Sequence, residues 1–123
     1  MLLADFYTIE ILHETTPGEY TATVTLNAAH PLYAGHFPGN PVVPGVCTLQ
    51  IIKECCERAL GRRLMTSNMA SCKFTNMIRP GINRQLEITW TLSPNEENRY
   101  NCRAEVRDEA ATYLKLKATY IAV

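Results

Sequence analysis

Hydrophobic and polar residues alternate with a period of two along most of this chain. Between Phe6 and His13, the apolar Tyr7, Ile9 and Ile11 alternate with Thr8 and Glu10, the pattern of a half-buried strand. Thr15 to Gly18 supplies turn chemistry. Tyr20, Ala22, Val24 and Leu26 then alternate with Thr21, Thr23 and Thr25, so a second strand is expected to pair back on the first and to end at Asn27. After Pro44 the period changes. Thr48, Leu49, Ile51, Ile52, Cys55, Cys56, Ala59 and Leu60 project onto one arc of a helix, with Lys53, Glu54, Glu57 and Arg58 on the other and Gly61 as its stop. Val46 and Gln50 fall within the polar arc, where exposure is the plain expectation. Leu64 to Arg79 has no clean period, but Met65, Met69, Cys72, Phe74 and Ile78 place a long, bent strand ended by Pro80 and Gly81. Three alternating runs follow, with apolar positions Leu86 to Leu92, Tyr100 to Val106 and Leu114 to Tyr120. The turn-like SPNEEN and the pair Asp108 and Glu109 join them into an antiparallel meander.

Two strands, a helix of about four turns and four more strands make an α+β chain, an antiparallel sheet of about six strands wrapped against one helix. No repeat, linker or low-complexity tract interrupts it, so residues 1–123 are read as a single domain. One helix covers little of a sheet face. Pairing of sheet edges between two copies would bury more, so a homodimer is expected, with further assembly of dimers open.

Composition narrows the partners. Twelve basic and twelve acidic side chains cancel without a basic block, which argues against nucleic acid or an anionic membrane as the primary partner. No apolar run approaches the roughly 20 residues of a membrane helix, and MLLADFYTIE lacks the start of a signal peptide, so the chain is expected in the cytoplasm. The cysteines at 47, 55, 56, 72 and 102 are odd in number, and none falls in a CxxC spacing; free thiols in a reducing compartment are expected. No histidines and carboxylates show ligand spacing, and neither GxSxG nor a P-loop is present, so no metal or cofactor is expected.

The candidate chemistry lies between His30 and Gln50, HPLYAGHFPGNPVVPGVCTLQ, where four prolines and three glycines impose a shaped loop. His36, between Gly35 and Phe37, is a titratable ring in mainly apolar company and a possible base. Pro44 suits a helix start and Gly45 follows it, so N–H groups with no intrahelical partner would point outward there. His13, at a strand end, and His30, before Pro31, read as surface or hydrogen-bonding residues. Cys47 reads as a packed helix residue, although a helix start favours a thiolate.

At GHFPGNPVVPGV, residues 35–46, the sequence resembles the 3-hydroxyacyl-[acyl-carrier-protein] dehydratases of bacterial fatty acid synthesis, whose hallmark is an HFPGxPVxPG loop running into a central helix. Cys72-Lys73-Phe74 followed by Arg79-Pro80-Gly81 is similar to their second signature. The resemblance implies the hotdog fold and a lyase that converts 3-hydroxyacyl thioesters on acyl carrier protein to trans-2-enoyl thioesters, without a cofactor, in an apolar slot between subunits. It implies that His36 is the base, that the Val42 carbonyl orients its imidazole, and that the Gly45 N–H binds the thioester oxygen as enolate character develops. Phe37 and Val46 would line the substrate site.

The chain departs from the family at Gln50, where a glutamate or aspartate protonates the departing hydroxyl. An amide can hold that hydroxyl but cannot give up a proton, and losing the acid is worth about 10² to 10⁴ in rate if nothing substitutes. Glu54 is one turn further along, about 6 Å in rise, and reads as too distant to serve unaided. Water, or Glu54 or Glu57 of a partner subunit, stays open as a proton source. Gln50 therefore also admits a binding or accessory subunit that partners an active dehydratase, and the fold admits a thioesterase.

Overall fold

The computed structural model describes residues 4–35 and 39–123. Among these, strands β1 (Tyr7–Thr16), β2 (Glu19–Leu26), β3 (Leu64–Phe74), β4 (Gln85–Pro94), β5 (Arg99–Arg107) and β6 (Thr112–Ala122) form one antiparallel sheet. Their spatial order is β1-β2-β4-β5-β6-β3, so β1 and β3 are the edges. Helix α1 (Gly45–Leu60) packs against the sheet, and a short 3-10 turn (Pro31–Gly35) precedes it. One helix against six antiparallel strands is the hotdog architecture implied by the loop motif.

Pro44 and Gly61 bound the helix as their chemistry requires. Gly61 takes the left-handed conformation with φ 65°, and its N–H and that of Arg62 both return to the Glu57 carbonyl, at 2.8 and 3.3 Å. Ile51, Ile52, Cys55 and Cys56 are buried on the sheet side. The apolar positions of β2, β4, β5 and β6 fall in register beneath them: Ile88 stands opposite Ala22 and Val106, and Ala104 opposite Leu116. All of these side chains are buried, so one face of four consecutive strands is core.

Three expectations need correction. The first concerns β1, where a register shift between Ile9 and Ile11 inverts the alternation. Ile11 consequently turns outward, 59% exposed, and Leu12 takes the inward place opposite Ala22. The second concerns the strand after the helix, which stops at Phe74 and does not continue to Arg79. Residues beyond it turn back over the loop before the helix: the Thr75 hydroxyl and the Asn76 amide donate to the Thr112 carbonyl at 2.6 and 2.8 Å, and the Ile78 carbonyl accepts from the Val43 N–H at 2.8 Å. The third concerns the helix, whose supposed polar arc is not all solvated. Glu54 is only 6% exposed, and Gln50 is half-buried.

The five cysteines carry no disulfide, and Cys56 and Cys102 lie with sulfurs 4.0 Å apart. Among the described residues no helix is long and apolar enough to cross a membrane.

Candidate active site

The proline-rich segment reaches the helix through Val42 and Val43. Val43 is buried and tied to Ile78 through its N–H, while Val42 is half-buried. The Pro44 side chain offers no acceptor for a cap, and the Pro44 carbonyl takes the N–H groups of Cys47 and Thr48 at 2.9 and 3.2 Å. The N–H groups of Gly45 and Val46 precede those bonds, so the helix has no acceptor for them. The positive end of the helix dipole coincides with these donors, which suits a developing negative charge.

Gly45 is also constrained sterically. A Cβ at this position would lie 2.8 Å from Cζ of Phe74, whose ring on the edge strand β3 covers this side of the helix start. Glycine therefore lets β3 close on the helix. Val46, next in the chain, is 74% exposed. His36 and Phe37 lie outside the described residues. Of the expected site residues, Gly45, Val46 and Gln50 lie on the first two turns of the helix and Val42 in the segment just before it.

Gln50 has a partner that the pattern of residues did not reveal. Its Nε2 donates to Oε2 of Glu54 at 2.9 Å, and the hydroxyl of Tyr7, from β1, donates to Oε1 at 2.7 Å. Both oxygens of a buried carboxylate are therefore engaged by donors from two elements. Burial, and then the hydrogen bond to Glu54, push the Tyr7 hydroxyl well above the usual tyrosine range, so it serves as a donor and not as an acid. The i, i+4 spacing of 50 and 54 was visible in the sequence, whereas Tyr7 is 47 residues away from Glu54 and read only as a core position.

The remaining candidates are structural. Burial raises the Cys47 thiol, which disfavours the thiolate despite the nearby helix start. His30 accepts the Leu32 N–H at Nδ1 at 3.0 Å, approaches the Ala4 carbonyl through Nε2 at 3.3 Å, and packs edge-on against Phe6. His13 is exposed on β1, opposite Thr21. Tyr33, stacked at a tilt on Phe6, buries a hydroxyl that has no hydrogen-bond partner among the described residues.

The ApeI-like family model, described as ApeI dehydratase, matches residues 12–113 of this chain. The chain belongs to the ApeI-like dehydratase family. Among the relatives of this chain, the 3-hydroxyacyl-[acyl-carrier-protein] dehydratase FabZ of Lactobacillus helveticus is 31% identical over 113 residues, covering 84% of this chain and 75% of that protein. FabZ of Lactiplantibacillus plantarum is also 31% identical, over 108 residues, with 80% and 72% covered. In the solved structures, the dehydratase heterocomplex ApeI:P from Xenorhabdus doucetiae superposes with a TM-score of 0.66 at 16% identity, covering 93% of this chain and 96% of that one. A hypothetical thioesterase with coenzyme A from Streptococcus pneumoniae superposes at 0.64 with 13% identity, covering 95% and 85%. These structural likenesses establish the hotdog fold and leave the choice between its chemistries to the sequence relatives and the site.

Proposed function

We propose that this chain removes water from 3-hydroxyacyl thioesters carried by acyl carrier protein, giving trans-2-enoyl thioesters. The observation that carries this reading is the uncapped start of α1 at Gly45, placed where the GHFPGNPVVPGV motif ends, in a chain whose FabZ relatives act on that substrate class. The thioester oxygen accepts from the Gly45 N–H. His36, oriented by the Val42 carbonyl, takes the proton from C2, and the electron pair left behind is held as an enolate by that N–H and the helix dipole. Gln50 holds the 3-hydroxyl by its amide. As the C2–C3 double bond forms, the C3–O bond breaks, and the imidazolium at residue 36 returns its proton to the departing oxygen as water. Base and acid are then one residue, which accounts for an amide at position 50.

A homodimer completes this reading. The edge strand β3 leaves Met65, Met69 and Phe74 exposed, and a second copy on that edge would wall the slot beside the helix start. The measurement is conversion of a purified 3-hydroxyacyl thioester to its enoyl form, followed by absorbance, with His36→Ala as the decisive variant. Activity that survives this substitution overturns the assignment.

The amide at position 50 favours a second reading, an accessory subunit that keeps the acyl pocket beside an active dehydratase. Gln50→Glu separates the two. A dormant pocket gains dehydration, whereas an enzyme that uses the amide changes little or loses.

A further inference from the structure

The core beneath Gln50 holds a feature the scheme above does not use. Glu54 is a carboxylate on the inner side of a helix, next to Cys55 and one turn from Ile51, and burying such a group is unfavourable unless donors surround it. An apolar side chain of similar length would pack there without that cost. Tyr7 and Gln50 both donate to it, one from β1 and one from the first turns of α1.

We infer that Glu54 is a positioning residue for Gln50, with Tyr7 as its anchor; this rests on the dehydratase reading given above. The chemistry of the pair dictates the geometry. A carboxylate only accepts, so the amide nitrogen of Gln50, and not its oxygen, must face Oε2. With one amide hydrogen spent there, the planar amide has a fixed orientation, and its second hydrogen and its oxygen occupy set directions on the half-buried side. That second hydrogen is the donor offered to the substrate hydroxyl. Without the carboxylate the amide can turn over and present an acceptor in place of the donor. Tyr7 holds the other oxygen of Glu54, so rotation of the carboxylate is opposed from β1. Glu54 therefore acts through Gln50.

The test uses the full chain with a 3-hydroxyoctanoyl pantetheine thioester. Glu54→Leu is expected to lower kcat by about 10- to 100-fold with a smaller change in KM, the loss typical of a misoriented group. Glu54→Gln, which can still accept from Gln50 while donating to the Tyr7 hydroxyl, is expected to recover part of that loss. In a Gln50→Ala background, Glu54→Leu is expected to add nothing further, because the two act as one unit. Thermal melts establish that each variant is folded. A wild-type kcat in Glu54→Leu overturns the inference, as do losses from positions 50 and 54 that multiply independently. So does a Glu54→Gln variant as inactive as Glu54→Leu, which would make Glu54 a proton donor.

A binding arm separates this inference from the dehydratase reading. Amide-linked acyl pantetheine analogues with and without the 3-hydroxyl are titrated into wild type and Glu54→Leu. Preference for the hydroxylated analogue in wild type, lost in the variant, supports the positioning role even where wild type forms no enoyl product, in which case only the dehydration reading fails. Equal preference in the two proteins refutes the positioning role whether or not turnover is seen.

Discussion

Replacing Gln50 by glutamate sets a second carboxyl against Glu54, across the 2.9 Å that now separates an amide nitrogen from a carboxylate oxygen. Two unit charges at that distance repel by about 6 kcal/mol at an effective dielectric constant of about 20. Retaining one proton on the pair is the cheaper course. Holding a carboxyl protonated at pH 7, when it would ionise near pH 4.3 in the unfolded chain, costs about 4 kcal/mol at most, and rotation of the half-exposed side chain at position 50 into water reduces this to roughly 2 kcal/mol. The sign follows from proton counting. The folded variant binds a proton that the unfolded chain releases, so its stability relative to wild type is greatest below about pH 4 and declines as pH rises through the raised folded-state value. Urea denaturation of both proteins between about pH 4 and pH 8 measures this, and the gap between them should widen as pH rises from about 4 and then level off at roughly 2 kcal/mol. A gap that stays constant over that range would mean the side chains at 50 and 54 are not in contact, and the orientation argument for Gln50 would fall with it.

Three other perturbations test the packing around the site. Ile52→Ala, at a fully buried helix position, should cost about 2 to 5 kcal/mol in urea denaturation, since the sheet beneath it cannot collapse into the cavity. Gly45→Ala should cost about 1 to 3 kcal/mol because its Cβ meets the Phe74 ring, and Phe74→Ala in the same chain should remove most of that cost, read as a double-mutant cycle. Burial alone would raise the Asp108 carboxyl, but hydrogen bonds from the Tyr113 hydroxyl, the N–H groups of Ala110 and Ala111, and the Asn83 amide outweigh it and hold the group below the usual range. Its contribution to stability is present above about pH 4 and is lost as pH falls through the lowered value, so Asp108→Asn should lose less stability than wild type on acidification.

What could be read in advance divides along physical lines. Strands β2, β4 and β5 alternate along their length and β6 does so from Leu114 onward, so simple alternation locates them and most of their core residues. The irregularity after Ile9 is a property of pairing with β2 and has no signature in β1 alone, where simple alternation points Ile11 inward. The end of β3 was likewise set by partners at Thr112 and Val43 that lie far away in the chain. The helix start at Pro44 and Gly45 is legible because helix starts are written in adjacent residues, whereas Gln50 is singled out only by the resemblance to the dehydratase family. A backbone rise of about 6 Å makes Glu54 look too distant from position 50 to serve. Two long side chains converging across one turn close that gap, and the decisive donor, Tyr7, comes from another strand.

The supports of the helix come from different parts of the sheet according to their chemistry. Central strands β4, β5 and β6 contribute Ile88, Val106 and Leu114 to the core that also holds Ile51 and Ile52 of the helix, whereas the outermost strands hold the groups near the proposed chemistry. Tyr7 reaches Glu54 from β1, and Phe74 lies against Gly45 from β3, at the opposite edge. Both contacts exist only because the sheet curls far enough to bring its two margins to one helix. A modest loss of that curl would leave the central core buried while releasing Tyr7 from Glu54, since β1 has a neighbour on one side alone. Damage to the site is therefore expected to precede global unfolding, with the orientation of Gln50 lost while the meander beneath the helix is still intact.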